Sequence, residues 1–498
     1  FFAAGMGIIE SAPFQGGPYT IHGAVDYIPL FLAYSHASAY DNVIATTIIF
    51  YPFLNILTIA ASFALSVRIA KIFGANLNSL IPIFALLPFC VSWRDLFFIL
   101  SLLIFTIVVA ERSGKRWPII AHVLFGLTVA LGVYWSFNRG AVILASMGPL
   151  CIWMMRDDKR FLIPISVAIL SFLLMGTLSP LFSVQTYFEN FVVLLQSADQ
   201  WSYPPSLTRK AWTAFTVFCF FAAVFSFFRT HKRKNMSKEQ IVTAVSLLIA
   251  SALYTKIGLG RIDHGHIGMA LWLPLLLLSV VAWPNQMSLL PNSKRAFFKI
   301  LSLGLASICI AFFLRSATPH VITLIIALLF SMQFVKSSWR AGVYTLTLVL
   351  AFTQLAPSPY LFLQKIRADK FDWLLALRDL PVDALAVTAE VSWASDRLQE
   401  ANVHCVFDLG NTGLINALTR LPSCSQFSYP VYASSEFEEQ LVSDLKNANP
   451  PAIVYSTNFW SYRIDGLDMP TRFPELDAFI QRAFPVVECD YGVCVRLQ

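Results

Sequence analysis

The densest group of reactive side chains is Gly260-Arg261-Ile262-Asp263-His264-Gly265-His266. It sets a cation, a carboxylate and two imidazoles at the mouth of an apolar run. A guanidinium grips a phosphate through two parallel N–H bonds, so Arg261 suits that task. Asp263 is placed to orient Arg261 or His266. The plain alternative is a structural ion pair capping a helix. His264 and His266 stand two residues apart and do not share a helical face, which argues against a metal pair.

A second group lies near the start of the chain. Glu10, Asp26 and Asp41 are carboxylates in a stretch, 1–43, without Lys or Arg. A carboxylate with no cation beside it can serve as a general base. His22 and Asp26 are four apart and would share a helical face. Ordinary solvated loop acids are the competing reading. A third group is Arg94-Asp95 and Asn138-Arg139, each an Arg beside an apolar run. Either Arg could hold a lipid phosphate or simply snorkel to the interface. The stretch 179–210 carries Phe182, Tyr187, Phe188, Phe191, Trp201 and Tyr203, followed by Pro204-Pro205. Part of it is expected to lie flat at a membrane interface. Trp201 and Tyr203 could also stack on a sugar.

The elements that must position these groups are membrane helices. Hydrophobic residues make up 57% of the chain and charged residues 13%, well on the membrane side of soluble proteins. The net charge of +7 does not signal nucleic acid, because the cations sit in short clusters between apolar runs. A helix needs about 20 mostly apolar residues to cross the hydrocarbon core. Such runs fall at 44–67, 118–135, 140–155, 161–178, 211–228, 240–257, 266–283, 299–315, 319–335 and 341–356. The stretch 79–110 is broken at Trp93-Arg94-Asp95 and reads as two short helices, with one kinked helix as the alternative. The expectation is a polytopic α-helical membrane protein of about 12 membrane helices, some short.

Orientation follows from the short loops. Arg68, Lys71, Arg112, Lys115, Arg116, Arg156, Lys159, Arg160, Arg229, Lys232, Arg233, Lys234, Lys238, Lys294, Arg295, Lys299, Lys336 and Arg340 fall on one side when spans alternate. That side is cytoplasmic by the positive-inside rule. The other side holds fewer: Arg94, Arg139, Arg209, Lys210, Lys256, Arg261 and Arg315. The alternation works throughout only if 79–110 is a hairpin. The stretches 1–43 and 179–210 and everything after Pro357 are then extracytoplasmic. The division expected is a transmembrane domain, 1–356, and a soluble extracytoplasmic domain, 357–498. The chain opens on Phe-Phe-Ala-Ala without Met, which reads as a fragment or processed product with an apolar segment upstream.

From about Lys365 charges return and apolar runs shorten. Short strands are expected at 385–387, 403–407 and 453–455, with helices from Ser435 to Ala448 and Pro474 to Phe484 and two strands at the C-terminus. Ser435 and Glu438 fit a capping box, and Pro450-Pro451 stops the helix. The pattern is that of a small α/β or α+β domain. Cys405, Cys424, Cys489 and Cys494 lie in this domain, and an even number in an oxidising compartment suggests disulfides. Three pairings are possible, with Cys405–Cys424 and Cys489–Cys494 favoured. Zinc is the weaker reading, there being no C-x-x-C pair. Cys90, Cys151, Cys219 and Cys309 sit in or beside apolar runs as packing residues.

No P-loop, Rossmann fingerprint or zinc-protease helix occurs, which argues against ATP-driven transport. Polar residues gather at one face rather than threading the spans, which argues against a channel.

Several stretches together resemble the GT-C superfamily, integral membrane glycosyltransferases that use polyprenyl-phosphate-linked sugars. They are His22-Gly23-Ala24-Val25-Asp26-Tyr27-Ile28-Pro29, Trp93-Arg94-Asp95, Trp135-Ser136-Phe137-Asn138-Arg139-Gly140 and Gly260-Arg261-x-Asp263-x-x-His266. A single C-terminal extracytoplasmic domain adds to the likeness. The resemblance implies that a carboxylate of the first extracytoplasmic loop deprotonates an acceptor hydroxyl, with Asp26 first, Glu10 second and Asp41 third in line. It implies a donor phosphate held by Arg261, Arg94 or Arg139. His22, Asp95, Asp263, His264 and His266 would support, and Trp201 and Tyr203 would meet the acceptor. Partners would be a polyprenyl-phosphate-linked sugar, a glycan, lipid or protein acceptor, and membrane lipids, with no nucleic acid. The resemblance names no definite cofactor and is compatible with a divalent cation. The expected location is a bacterial inner membrane with the C-terminal domain periplasmic. Ser136-Phe137-Asn138-Arg139-Gly140 also resembles the Ser-Arg-Gly stretch of O-antigen ligases and polymerases. A transporter or a non-catalytic assembly scaffold is the reading from a different class.

Overall fold

A computed structural model describes residues 40–75, 80, 83–84, 87, 90–110, 117–178, 183–197, 207–233, 236–260, 264–281, 389–409, 414–427, 430, 433, 435–455 and 469–498. The membrane part contains α1 (Tyr40–Phe73), α2 (Leu96–Ala110), α3 (Trp117–Trp135), α4 (Phe137–Met154), α5 (Leu162–Leu178), α6 (Val184–Ser197), α7 (Leu207–Arg233), α8 (Lys238–Gly260) and α9 (His264–Val281). Among the described residues four stretches are long and apolar enough to cross a membrane: Phe53–Phe73, Trp93–Ala110, Lys159–Thr177 and Lys238–Leu259. Ile119–Trp135 and Gly268–Val281 are shorter apolar helices. The runs expected at 299–315, 319–335 and 341–356 lie outside the described residues, so the full span number is not tested by them.

Two hydrogen bonds decide the course of the chain through 79–110. The Trp93 N–H donates to Asn55 Oδ1 at 2.7 Å, and Arg68 Nη2 donates to the Thr106 carbonyl at 3.3 Å. The donor and acceptor positions advance together along both helices, so α1 and α2 run parallel. A parallel pair requires the intervening chain to cross back between them. The break falls at Ser92, which is extended (φ −124°, ψ 160°), and a 3₁₀ turn over Trp93–Asp95 leads into α2. This agrees with the hairpin reading rather than a single kinked helix.

α8 runs opposite to both. Its start is tied to the end of α1 by Gln240 Nε2, which donates to the Ile72 carbonyl at 2.9 Å. Its far end brings the Tyr254 hydroxyl to Asp95. One end of the bundle therefore gathers Arg68, Asp157, Asp158, Arg160, Lys238 and Glu239, with ion pairs Lys238–Asp157 and Arg160–Asp158. Among the described residues, Arg68, Arg160 and Lys238 of the expected cytoplasmic loops lie there. The opposite end, the outer end on the expected orientation, gathers Trp93, Asp95, Trp135, Arg139 and Tyr254.

Helices approach closely where small residues allow it, as membrane packing favours. On α1, Thr58, Ser62 and Ser66 each return a hydroxyl proton to the carbonyl four residues back, so their buried polar groups are satisfied within the helix. A Cβ on Gly140 would lie 2.7 Å from the Val133 Cα, so α3 and α4 pass nearly in backbone contact. A Cβ on Gly268 would lie 2.6 Å from the Cys90 carbonyl oxygen, which fixes the start of α9 against the Ser92 break.

The C-terminal part contains α10 (Ala389–Glu400), α11 (Leu414–Thr419), α12 (Glu438–Ala448), β1 (Ala452–Val454), α13 (Met469–Arg472), α14 (Pro474–Ala483), β2 (Val486–Asp490) and β3 (Val493–Leu497). The sheet order is β1-β3-β2, antiparallel, with Ile453 opposite Arg496 and Cys489 opposite Cys494. The segment at 406–408 adds isolated parallel bridges, Val406 to Ser423 and Asp408 to Val454. Alternation along the strands gives each face its own core. Ile453 packs with Phe407, Leu441, Leu445, Leu476 and Ile480 on the α12–α14 side. Val454, Val493 and Val495 pack with Val391, Ala394 and Leu398 on the α10 side. The result is a helix–sheet–helix domain, as expected for a small α/β or α+β unit. The strand expected at 385–387 lies outside the described residues.

Both favoured disulfides are present, Cys405–Cys424 and Cys489–Cys494. The helix expected from Ser435 begins with a 3₁₀ turn over Ser435–Phe437 before α12. Glu438 has a partner elsewhere: its carboxylate accepts from the Leu476 N–H at 2.9 Å, capping the exposed donors of α14. Asn449, in the left-handed region (φ 45°), closes α12 before Pro450.

Candidate functional site

Asp95 is the centre of the outer end. It is fully buried, and its carboxylate is held by groups from three elements. Arg139 Nε on α4 donates to Oδ1 at 3.0 Å, and the Tyr254 hydroxyl on α8 donates to the same oxygen at 3.3 Å. The Ser92 N–H and hydroxyl both donate to Oδ2 at 3.0 Å. A carboxylate offers about four lone-pair directions, so this one is saturated. A buried charge persists only when so compensated. Asp95 therefore acts as a clasp between helices.

Arg139 and Tyr254 are as enclosed as Asp95, at 4% and 1% exposed, while Ser92 is partly buried. The Arg139 guanidinium carbon lies 5.9 Å from the Tyr254 ring centroid. Phe98 meets the Tyr254 ring edge-on at 5.1 Å, and Trp93 and Phe97 meet Trp135 edge-on at 6.1 and 5.3 Å. Aromatic walls of this kind exclude water and strengthen the ion pair.

Arg94, next in sequence to the buried Asp95, is half-buried, with its guanidinium carbon 5.4 Å from the Trp93 ring centroid. The 3₁₀ turn aims adjacent side chains apart, so Asp95 enters the bundle and Arg94 stays nearer its surface. This places a cation beside a closed ion pair and an indole face at the outer end.

The sequence-predicted residues distribute as follows. Arg94, Asp95 and Arg139 come together. Asp41 is the second residue of α1, and His264 and His266 lie in the first turn of α9. Glu10, His22, Asp26, Trp201, Tyr203, Arg261 and Asp263 lie outside the described residues. The fold nevertheless fixes both flanks of the Arg261 stretch. Tyr254 is tied to Asp95 before it, and Gly268 is packed on Cys90 after it. Among the described residues no group of three or more His, Cys, Asp or Glu side chains is placed to hold a metal.

Sequence reasoning overlooks three partners. Tyr254 resembles any aromatic in an apolar run. Ser92 looks like a helix-breaking residue, and Asn55 is a lone amide inside α1. The only advance signal is that each is polar at membrane depth, where an unsatisfied group is costly.

No family model matches the chain, and no curated protein matches it. Solved structures similar to it include three of the Archaeoglobus fulgidus oligosaccharyltransferase. The apo form has a TM-score of 0.46 at 12% identity over 91% of this chain and 65% of that one. The form tethered to an acceptor peptide containing the NVT sequon has a TM-score of 0.48 at 12% identity over 91% and 64%. The complex with Zn and sulfate has a TM-score of 0.45 at 13% identity over 95% and 66%. The chain thus spans about two thirds of that protein's length.

Proposed function

We propose that this protein is a membrane glycosyltransferase of the GT-C type, moving a sugar from a polyprenyl-phosphate donor to an extracytoplasmic glycan, lipid or protein acceptor. One observation carries the reading. The Trp93-Arg94-Asp95 turn, the Asn138-Arg139 junction and the two helices flanking Gly260–His266 meet at one end of the bundle, with α4 and α8 tied to Asp95 and α9 packed on Cys90. That end is opposite the basic loops, so it faces the extracytoplasmic side.

In this reading Arg261 and Arg94 bind the donor phosphate, and Arg139, paired with Asp95, holds in place the turn that presents Arg94. Asp26, or else Glu10 or Asp41, removes the acceptor hydroxyl proton. The oxygen attacks the anomeric carbon, the bond from that carbon to the phosphate oxygen breaks, and the electron pair leaves with the lipid phosphate. A fixed guanidinium stabilises the charge that grows on this leaving group. The lipid tail stays in the bilayer throughout. His22, Asp263, His264 and His266 support the base and the cation, Trp201 and Tyr203 stack on the acceptor, and the C-terminal domain serves as its platform.

The test is incubation of the purified chain with a panel of polyprenyl-phosphate sugars, measuring release of the lipid phosphate. Asp26→Ala and Arg261→Ala are expected to lose turnover by at least a hundredfold while inserting and folding normally. Full transfer activity in both variants would remove the assigned site. Absence of turnover with every donor would favour a scaffold.

A further inference from the structure

Helix α6 (Val184–Ser197) presents three different surfaces around its axis. One is packed against protein: Asn190 and Leu194 are buried, and Tyr187 and Phe191 partly so. The next is apolar and open: Phe188, Val192 and Leu195 are 53%, 49% and 60% exposed. With about 100° per residue these three fall within about 60° of one another, directly beside Phe191. The third surface is polar and open, formed by Gln185 and Glu189, whose side chains hydrogen-bond at 2.8 Å. Protein, hydrocarbon and water are the three surroundings of a helix lying in the membrane interface against a bundle.

Position and length agree with that plane. The 14 residues of α6 extend about 21 Å, short of the roughly 30 Å hydrocarbon core. Its contacts stay at the outer end of the bundle. Tyr187 donates to the Val133 carbonyl at 3.3 Å and meets the rings of Tyr134, Phe137 and Phe172 at 5.4, 4.9 and 5.3 Å. One turn later Phe191 still meets Phe137, the first residue of α4, at 6.1 Å. The open apolar face also continues an existing one. α5, immediately upstream, exposes Ile169, Leu170, Leu173 and Leu174 in the direction a bilayer must cover.

We propose that α6 is an in-plane anchor whose Phe188, Val192 and Leu195 dip into the outer leaflet of the bilayer, and that its Tyr187 braces the α3–α4 junction carrying Arg139. The lipid acyl boundary is the partner of the open face. The bracing follows from the Tyr187 contacts, because Phe137 stands two residues before Arg139. Pulling α6 from the bilayer would load the same junction that supplies Arg139 to Asp95.

The experiment uses the full chain in nanodiscs of phosphatidylethanolamine and phosphatidylglycerol. A nitroxide amino acid is placed singly at Val192, Leu195 or Gln185. Collision with oxygen, which concentrates in hydrocarbon, is compared with collision with a water-soluble nickel chelate. Oxygen is expected to dominate at Val192 and Leu195 and the chelate at Gln185, at least threefold each way. Chelate dominance at Val192 and Leu195 would overturn the proposal by placing that face in water. Low access to both reagents there would overturn it by showing a protein cover, and oxygen dominance at Gln185 would overturn the in-plane orientation. None of these readouts depends on glycosyl transfer, so their failure is separate from failure of the proposed activity.

Discussion

Asp95 and Arg139, 44 residues apart in sequence, form an ion pair with Nε to Oδ1 at 3.0 Å inside the outer end of the helix bundle. Both side chains are almost wholly shielded. Removing one partner leaves the other charge in a dry site, at a cost of about 3–5 kcal/mol. Removing both and filling the space with apolar atoms costs much less. Asp95→Leu and Arg139→Met are therefore each expected to destabilise the bundle strongly, and the double variant to lose less than their sum, with a remaining cost from the Ser92 and Tyr254 donors left without their acceptor. Tyr254→Phe removes a single neutral donor to this charge and should cost about 1.5–3 kcal/mol. Unfolding in mixed micelles measures all four variants. A loss in the double variant equal to the sum of the two single losses would show that the pair is not coupled.

The pair also marks where sequence reading stops. Periodicity and loop charge suffice to place α1, α3, α5 and α8 and to order them by direction, because apolar length and Lys/Arg position are local properties. They also flag Asp95 and Arg139 as costly charges. What they cannot supply is that each charge is the other's partner, since that depends on α2 and α4 packing side by side. Glu438 shows the same limit in the C-terminal domain. Its spacing from Ser435 fits a local cap, yet its carboxylate reaches the start of α14, 38 residues on. Cys489 and Cys494 are the opposite case, a short hairpin whose residues face each other by register.

Gly140 and Gly268 test the close approaches that build the outer end. A Cβ at either position falls under 3.0 Å from backbone atoms, which cannot move aside as a side chain can. Gly140→Val should separate α3 from α4, and Gly268→Val should lift α9 from Cys90. Each is expected to cost at least about 2 kcal/mol, in the range for overpacking. Gly148, with nothing within 4 Å of its virtual Cβ, is the control, and Gly148→Ala should be neutral or slightly stabilising. Thermal melting of the purified variants in one detergent ranks the three. Similar melting for Gly140→Val and the control would contradict the backbone contact.

Asp158, at the inner end before α5, predicts a pH effect with a definite sign. Its side-chain hydrogen bond with Arg160 holds its carboxyl below the ordinary value of 3.8, helped by the Arg160 N–H and by the charges of Arg160 and His122, against a partial opposing effect of burial. A depressed carboxyl stabilises the fold above its unfolded value. That contribution fades as pH falls from the ordinary value through the depressed one. The pair is partly open to solvent, so the effect is at most about 1 kcal/mol. Between neutral pH and pH 5 the stability difference between wild type and Asp158→Asn should stay constant, and below pH 4 it should shrink. A difference that grows on acidification would reverse the assignment.

The two disulfides should differ in weight. Cys405 and Cys424 are 19 residues apart, Cys489 and Cys494 only 5. Cross-linking a longer loop removes more freedom from the unfolded chain, about 3 kcal/mol against about 2. Burial widens the gap. Cys405 and Cys424 sit in the same core as Phe407, Leu441 and Ile453, whereas the hairpin from Val486 to Leu497 carries its bridge near its tip. Replacing the inner pair by serines would put two hydroxyls into that core without partners. Cys405→Ala/Cys424→Ala is the cleaner test, because it leaves only lost cross-linking and a small cavity. It is expected to lower the melting temperature of the full chain's C-terminal transition more than Cys489→Ala/Cys494→Ala does. Reductant should reproduce the second effect at low concentration and the first only on unfolding, since the buried bridge is closed to thiolate attack. Equal sensitivity of both bridges to mild reductant would mean that the core around Cys405 opens far more readily than its packing implies.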